Sequence, residues 1–159
     1  MASMIEATAP TPRIELRRVV YNARLSQETA AFAADVWVNG KKAGTVQNEG
    51  TGGANRVSPP SLERLLEEHA QTLPPLPPAP ELGSPTPLAM NAELLIGELL
   101  EEYLAAKDLK RLFRTYWLFV GKDERLYQVP KNTGARPQEP LNDMPFDAAL
   151  RLYKTAGAK

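Results

Sequence analysis

The sequence predicts an α+β fold, an antiparallel sheet of about five strands packed with two to three helices in a single domain over residues 13–159. Three observations carry that expectation. Runs with two-residue alternation occupy the first third of the chain and return after residue 115; apolar residues at helical spacing fill residues 62–73 and 92–103; and Asn39-Gly40 supplies a strong hairpin signal between two of the strands. With 159 residues and 43% apolar composition, the chain is long enough to bury one core.

Residues 1–12 carry two prolines and no periodicity, which predicts a flexible tail with order beginning near Arg13. From Ile14 to Tyr21 an alternation starts and then loses phase at Arg17-Arg18, as an edge strand or a bulged strand would. Two adjacent arginines also discourage edge-to-edge pairing. Ala31 to Val38 is the clearest strand, with Phe32, Ala34, Val36 and Val38 on one face and Ala31, Ala33, Asp35 and Trp37 on the other. Asn39-Gly40 tolerates the positive φ of a type I′ turn, and Lys41 to Asn48 returns. Two registers are open: a two-residue loop puts Val46 on the Asp35/Trp37 face, and a three-residue loop puts it with Phe32 and Val36.

Glu49 to Val57 reads as a glycine-rich loop, and Ser58-Pro59-Pro60 as a helix start with Ser58 as its cap. Leu62, Leu65, Leu66, His69 and Leu73 form the apolar face of that helix, with Glu63, Glu67 and Glu68 mostly outside it. Residues 74–87 hold seven of the fifteen prolines and predict an extended, semi-rigid connector. Its Pro74-Pro75-Leu76-Pro77-Pro78 run matches a P-x-x-P ligand but lacks a neighbouring Arg or Lys, so it reads as a spacer. A second helix begins near Asn91, a plausible cap, with Ala92, Leu95, Ile96, Leu99 and Tyr103 as its buried stripe. It either runs through Asp108 to Arg114 or yields at Asp108 to a separate short helix. Thr115 to Val120 is strand-like, Gly121 to Glu124 turns, and Leu126 to Val129 returns. A loop punctuated by Pro130, Pro137, Pro140 and Pro145 leads to a last helix over about Phe146 to Thr155.

Composition removes whole classes of chemistry. Zero cysteine excludes disulfide stapling, thiol nucleophiles and Cys-ligated zinc, and a single histidine excludes His-rich metal sites and most Ser-His catalysis. His69 sits on an apolar helix face, where a packing role outweighs that of a catalytic base. Asp35 and Glu49 do not fit a metal-nuclease spacing, because Glu49 is followed by Gly50-Thr51. The expectation is a protein that is not an enzyme and holds no metal and no cofactor. Met1 to Pro12 lacks a cationic start followed by an apolar run, and nowhere do 18 apolar residues occur together, so a cytoplasmic protein with no membrane segment is expected.

Nineteen basic and nineteen acidic residues sum to zero, which disfavours indiscriminate polyanion binding, but the sum hides blocks. Residues 1–60 carry +2, residues 61–106 carry −7 and residues 107–159 carry +5. The acidic block offers Glu98, Glu101 and Glu102 as a face for a basic partner. The basic block offers Lys107, Lys110, Arg111 and Arg114 as one helical stripe, followed by the rings near Trp117, a set suited to phosphates and base stacking. Cations at a helix C-terminus also complement its dipole, and the rings also suit a core. The loop residues Gly50, Gly52, Gly53, Asn55 and Arg56 can act as a connection, a partner contact or a cradle for a phosphorylated ligand, although no Walker-type Gly-Lys-Ser/Thr ending is present.

The stretch from Leu25-Ser26-Gln27-Glu28-Thr29 through Phe32-Ala33-Ala34-Asp35-Val36, Val38-Asn39-Gly40-Lys41-Lys42 and Asn48-Glu49-Gly50 to Gly52-Gly53-Ala54-Asn55 resembles a pattern in small uncharacterised bacterial and phage proteins. The resemblance covers about a third of the chain. It implies an accessory or mobile-element role, such as an anti-defence factor, and assigns no site residue. Taken together, the expected function is an interaction protein that docks a protein or ribonucleoprotein partner through charge-segregated surfaces. A small nucleic-acid-binding module and a binder of phosphorylated small ligands are the alternatives.

Overall fold

The alternating first third becomes a four-stranded antiparallel sheet in the order β1 (Ile14–Asn22), β2 (Ala31–Val38), β3 (Lys41–Glu49), β4 (Arg56–Ser58). The computed structural model describes residues 11–83 and 85–157, so the tail expected over 1–12 lies outside the described residues except for Thr11 and Pro12. The phase lost at Arg17-Arg18 is a bulge. Pairing passes from Arg17↔Asp35 to Val20↔Ala33, and Arg18 takes φ 53°. Asn39 (φ 52°) and Gly40 (φ 81°) make the two-residue turn. A second bulge then settles the open register. Trp37 pairs with Lys42 and Val36 with Gly44, so Ala43 is an extra residue and Val46 turns to the Phe32, Ala34, Val36 face, where it is 1% exposed.

Two compact units divide the chain, one ending at Leu100 and the other beginning at Glu101. In the first, the buried sheet residues Leu16, Phe32, Ala34, Val36 and Val46 are accompanied by Leu62, Leu66 and Ala70 of helix α1 (Pro60–Gln71). His69 is half-buried on α1, as a packing residue would be. Ser58 is not the cap that the sequence suggests. It belongs to β4 and pairs with Thr45, while Pro59 holds the cap position without a side-chain hydrogen bond. A residue before proline favours extended backbone, and the edge of β3 gives that backbone partners.

The proline-rich connector does not run out straight. Leu76 and Leu88 exchange backbone hydrogen bonds at 2.8 and 3.0 Å, which brings its two ends together around a short 3₁₀ turn at Pro80–Leu82. Asn91 then caps helix α2 (Ala92–Thr115), accepting from the Leu94 amide at 2.9 Å, and Glu67 accepts from the Ala92 amide at 2.6 Å. Of the expected stripe, Leu95 and Ile96 are buried together with Leu100, while Ala92, Leu99 and Tyr103 are half-buried. The helix continues unbroken past Asp108.

In the second unit, the hairpin β5 (Tyr116–Val120) and β6 (Leu126–Pro130) forms a separate two-stranded sheet, followed by helix α3 (Phe146–Gly157). Leu109, Leu118, Leu141, Ala149 and Leu150 are its buried core, with Leu112, Phe113, Val120 and Leu126 packed around them. Asn142 lies along the outer edge of β5. Its Oδ1 accepts from the Leu118 amide at 3.0 Å and its Nδ2 donates to the Tyr116 carbonyl at 2.9 Å. One side chain thereby meets two of the groups that a further strand would otherwise meet.

Candidate functional site

Helix α2 keeps its charges apart by its own geometry. Glu98 and Lys107 are separated by about 2.5 turns, which puts them on opposite sides of the helix. Among Glu98, Glu101, Glu102 and the four cations, the nearest opposite pair is Glu102 and Lys107, five residues apart and beyond the three- and four-residue spacings at which helical side chains meet. Glu98, Glu101 and Glu102 are all exposed, as are Lys107, Lys110, Arg111 and Arg114. Seven ion pairs occur among the described residues, and of these seven side chains only Arg111 takes part in one, with Asp108 at 3.1 Å. Lys110 places its ammonium 5.2 Å from the Phe146 ring. Apart from the Arg111–Asp108 pair, these acidic and basic side chains have no ion pair on α2 among the described residues.

Trp117 does not join the basic stripe. Its neighbour Leu118 is buried in the core with Leu109 of α2, so Trp117 projects from the opposite, outer face of the hairpin together with Phe119, Tyr127 and Val129. Its ring receives Lys131 Nζ at 4.6 Å and the Arg136 guanidinium at 4.4 Å, and Arg136 is in turn held by Asp143. Sequence reasoning missed both cations, because they arrive from the proline-punctuated loop. Phe119 and Tyr127 stack with ring centroids 5.4 Å apart. The Tyr127 hydroxyl donates to Asp123, and this bond holds the Asp123 carboxyl below the usual carboxylate range while raising the Tyr127 hydroxyl above its own. On α3, burial first and the Asp108 carboxylate second push the Tyr153 hydroxyl up.

The glycine-rich loop is organised around Asn48, which is only 8% exposed. Its Oδ1 accepts from the Gly50 amide and the Thr29 hydroxyl, both at 2.8 Å, and its Nδ2 donates to the Gly53 carbonyl at 3.0 Å and Asn55 Oδ1 at 2.9 Å. The Gly52 amide donates to Thr29 Oγ1 at 3.3 Å, the Asn55 amide to the Glu93 carboxylate at 3.0 Å, and Arg56 pairs with Glu49 at 2.7 Å. The fold brings Gly50, Gly52, Gly53, Asn55 and Arg56 together, and it supplies acceptors from within the protein to three of their amides and to the guanidinium. A side chain in place of Gly50, at φ +86°, would put its Cβ 2.1 Å from the Leu25 carbonyl oxygen.

No known protein family, curated protein or solved structure matches the chain.

Among the described residues, no helix is long and apolar enough to cross a membrane, and no three His, Asp or Glu side chains group as metal ligands would. The outer face of the four-stranded sheet carries Arg17 stacked 4.0 Å from the Trp37 ring, and Asp35 between Lys42 at 3.5 Å and Arg18 at 3.9 Å. There acid and base neutralise each other locally.

Proposed function

We propose that the protein acts by binding rather than by chemistry, docking a protein or ribonucleoprotein partner through charge-segregated surfaces. The observation that carries this reading is the exposed trio Glu98, Glu101 and Glu102, which has no ion pair among the described residues, on a helix whose cations face the other way. Unpaired surface charge of one sign steers and orients a partner of the opposite sign more than it stabilises a fold. An accessory or anti-defence setting, implied by the pattern over residues 25–55, would make that partner part of a host machine.

The triple reversal Glu98→Lys, Glu101→Lys, Glu102→Lys is the test. With a partner isolated on the wild-type chain, isothermal titration is expected to show at least roughly tenfold weaker binding, with the loss largest at low salt. Unchanged affinity removes the acidic face from the account.

A second reading places nucleic acid on Lys107, Lys110, Arg111 and Arg114, favoured by their common exposure on one side of α2. Anisotropy titrations with single-stranded oligonucleotides are then expected to weaken with salt at a log–log slope of about −3, the value for four phosphate contacts at about 0.7 each. No binding at low salt, or a slope near zero, ends that reading.

A further inference from the structure

One strand edge of the second unit has no partner among the described residues and lies beside an apolar groove. The Gly121 amide donates to the Arg125 carbonyl at 2.9 Å, so these two form a hydrogen-bonded pair, and alternation makes Phe119↔Tyr127 and Trp117↔Val129 the next ones. The residues between them turn their backbone groups outward. On β5 these are Leu118 and Val120, with Tyr116 next along the strand, and Asn142 meets the Leu118 N–H and the Tyr116 C=O. On β6 they are Leu126 and Gln128, whose backbone N–H and C=O groups have no hydrogen-bond partner among the described residues. Native proteins usually cover, charge or bulge such an edge; here Asn142 covers part of the β5 edge, while no described residue covers that of β6.

Leu126, Tyr127 and Gln128 form one wall of a groove of about 580 Å³. Ala105 and Leu112 of α2, Leu118 of β5 and Tyr153 of α3 line the rest, and Glu101 and Lys154 place one charge of each sign on it. The size lies within the range of about 300–1,000 Å³ typical of binding sites.

We propose that β6 accepts an extended segment of a partner protein as a third strand, paired to the outward groups of Leu126 and Gln128. Strand addition draws affinity from main-chain hydrogen bonds and specificity from pockets that take alternate side chains. Every second side chain of the segment would therefore enter the groove and be apolar, with flanking residues of both charge signs to meet Glu101 and Lys154. The proposal rests on the reading of this chain as an interaction protein and names its partner's chemistry: an unfolded or loop segment of about five residues with alternating apolar positions, the length of β6.

The test pans a display library of random linear peptides of about ten residues against the full chain. Enriched peptides are expected to alternate apolar and polar residues, to slow amide exchange at Leu126 and Gln128 in NMR spectra, and to bind roughly tenfold more weakly when alternate backbone amides are N-methylated. Gln128→Pro removes an N–H that β5 does not use, so the hairpin keeps its ladder while the edge loses a donor; a similar loss is expected. If that variant fails to fold, Ala105→Leu narrows the groove from α2 and is expected to weaken the same peptides.

Three outcomes overturn the proposal: no alternating peptide is enriched, the N-methylated peptides bind as well as their parents, or the free chain already protects these amides in a concentration-dependent dimer. A natural partner that loses affinity with Glu98→Lys and Glu102→Lys but not with Gln128→Pro keeps the interaction reading and sinks the edge. The reverse pattern keeps the edge and removes the acidic face.

Discussion

Gly44→Ala is expected to lower the free energy of unfolding by about 3 kcal/mol, measured as a shift in the urea midpoint at unchanged slope. Gly44 pairs with Val36 on the core-facing side of β3, where β4 and the first turn of α1 come closest to the sheet. A Cβ there would lie 2.0 Å from the Ser58 carbonyl oxygen, 2.7 Å from Leu62 Cδ2 and 2.9 Å from Pro59 Cδ. The nearest of these is backbone and cannot swing aside. Relief would require moving β4 off β3 or withdrawing Leu62, which is 3% exposed, from the core. Gly97→Ala is the internal reference: open space surrounds that position on an exposed stretch of α2, so a gain of about 0.5–1 kcal/mol is expected from helix propensity. Equal effects from the two substitutions would mean that the α1–sheet contact is not as close as described.

Asn48→Ala is the second large effect, a loss of about 3 kcal/mol with faster exchange of the Gly50 amide. The substitution removes two donor and two acceptor contacts at once and leaves the Gly50 amide, the Gly53 carbonyl and Asn55 Oδ1 without the partner they share, a side chain only 8% exposed. Asn48→Asp is expected to be no milder, because it keeps the acceptor for Gly50 and Thr29 while turning the donor edge into a second acceptor facing the Gly53 carbonyl. A loss below about 1 kcal/mol for both would show that the loop is held by its backbone alone.

Much of this fold was legible because its signals are local. The faces of β2, the Asn39-Gly40 turn, the bulge at Arg17-Arg18, the Asn91 cap and the apolar stripes of the helices all rest on residues within a turn or a strand of each other. The candidate surfaces on α2 were legible for the same reason, since helical spacing alone separates Glu98 from Lys107. What escaped rests on long-range partners. Ser58 looked like a cap because its pairing with Thr45 depends on β4 meeting β3. Trp117 looked like the end of a basic stripe because nothing in its neighbourhood announces Lys131 and Arg136. Ala43 gives no sign of being the extra residue that turns Val46 inward, and the Asn55 amide finds Glu93 across 38 residues.

Sequence by itself determined the class of this protein, the strand and helix faces, and the presence of an acidic and a basic run. Those follow from periodicity and composition, which are read within a few residues. Tertiary structure alone decided three things: that Glu98, Glu101 and Glu102 have no ion pair among the described residues, that the glycine-rich loop closes on Asn48, and that Asn142 covers part of the β5 edge while no described residue covers that of β6. Each depends on which distant polar group arrives within about 3 Å of another, and hydrogen bonds and ion pairs are short-ranged and directional in a way that no periodic pattern encodes.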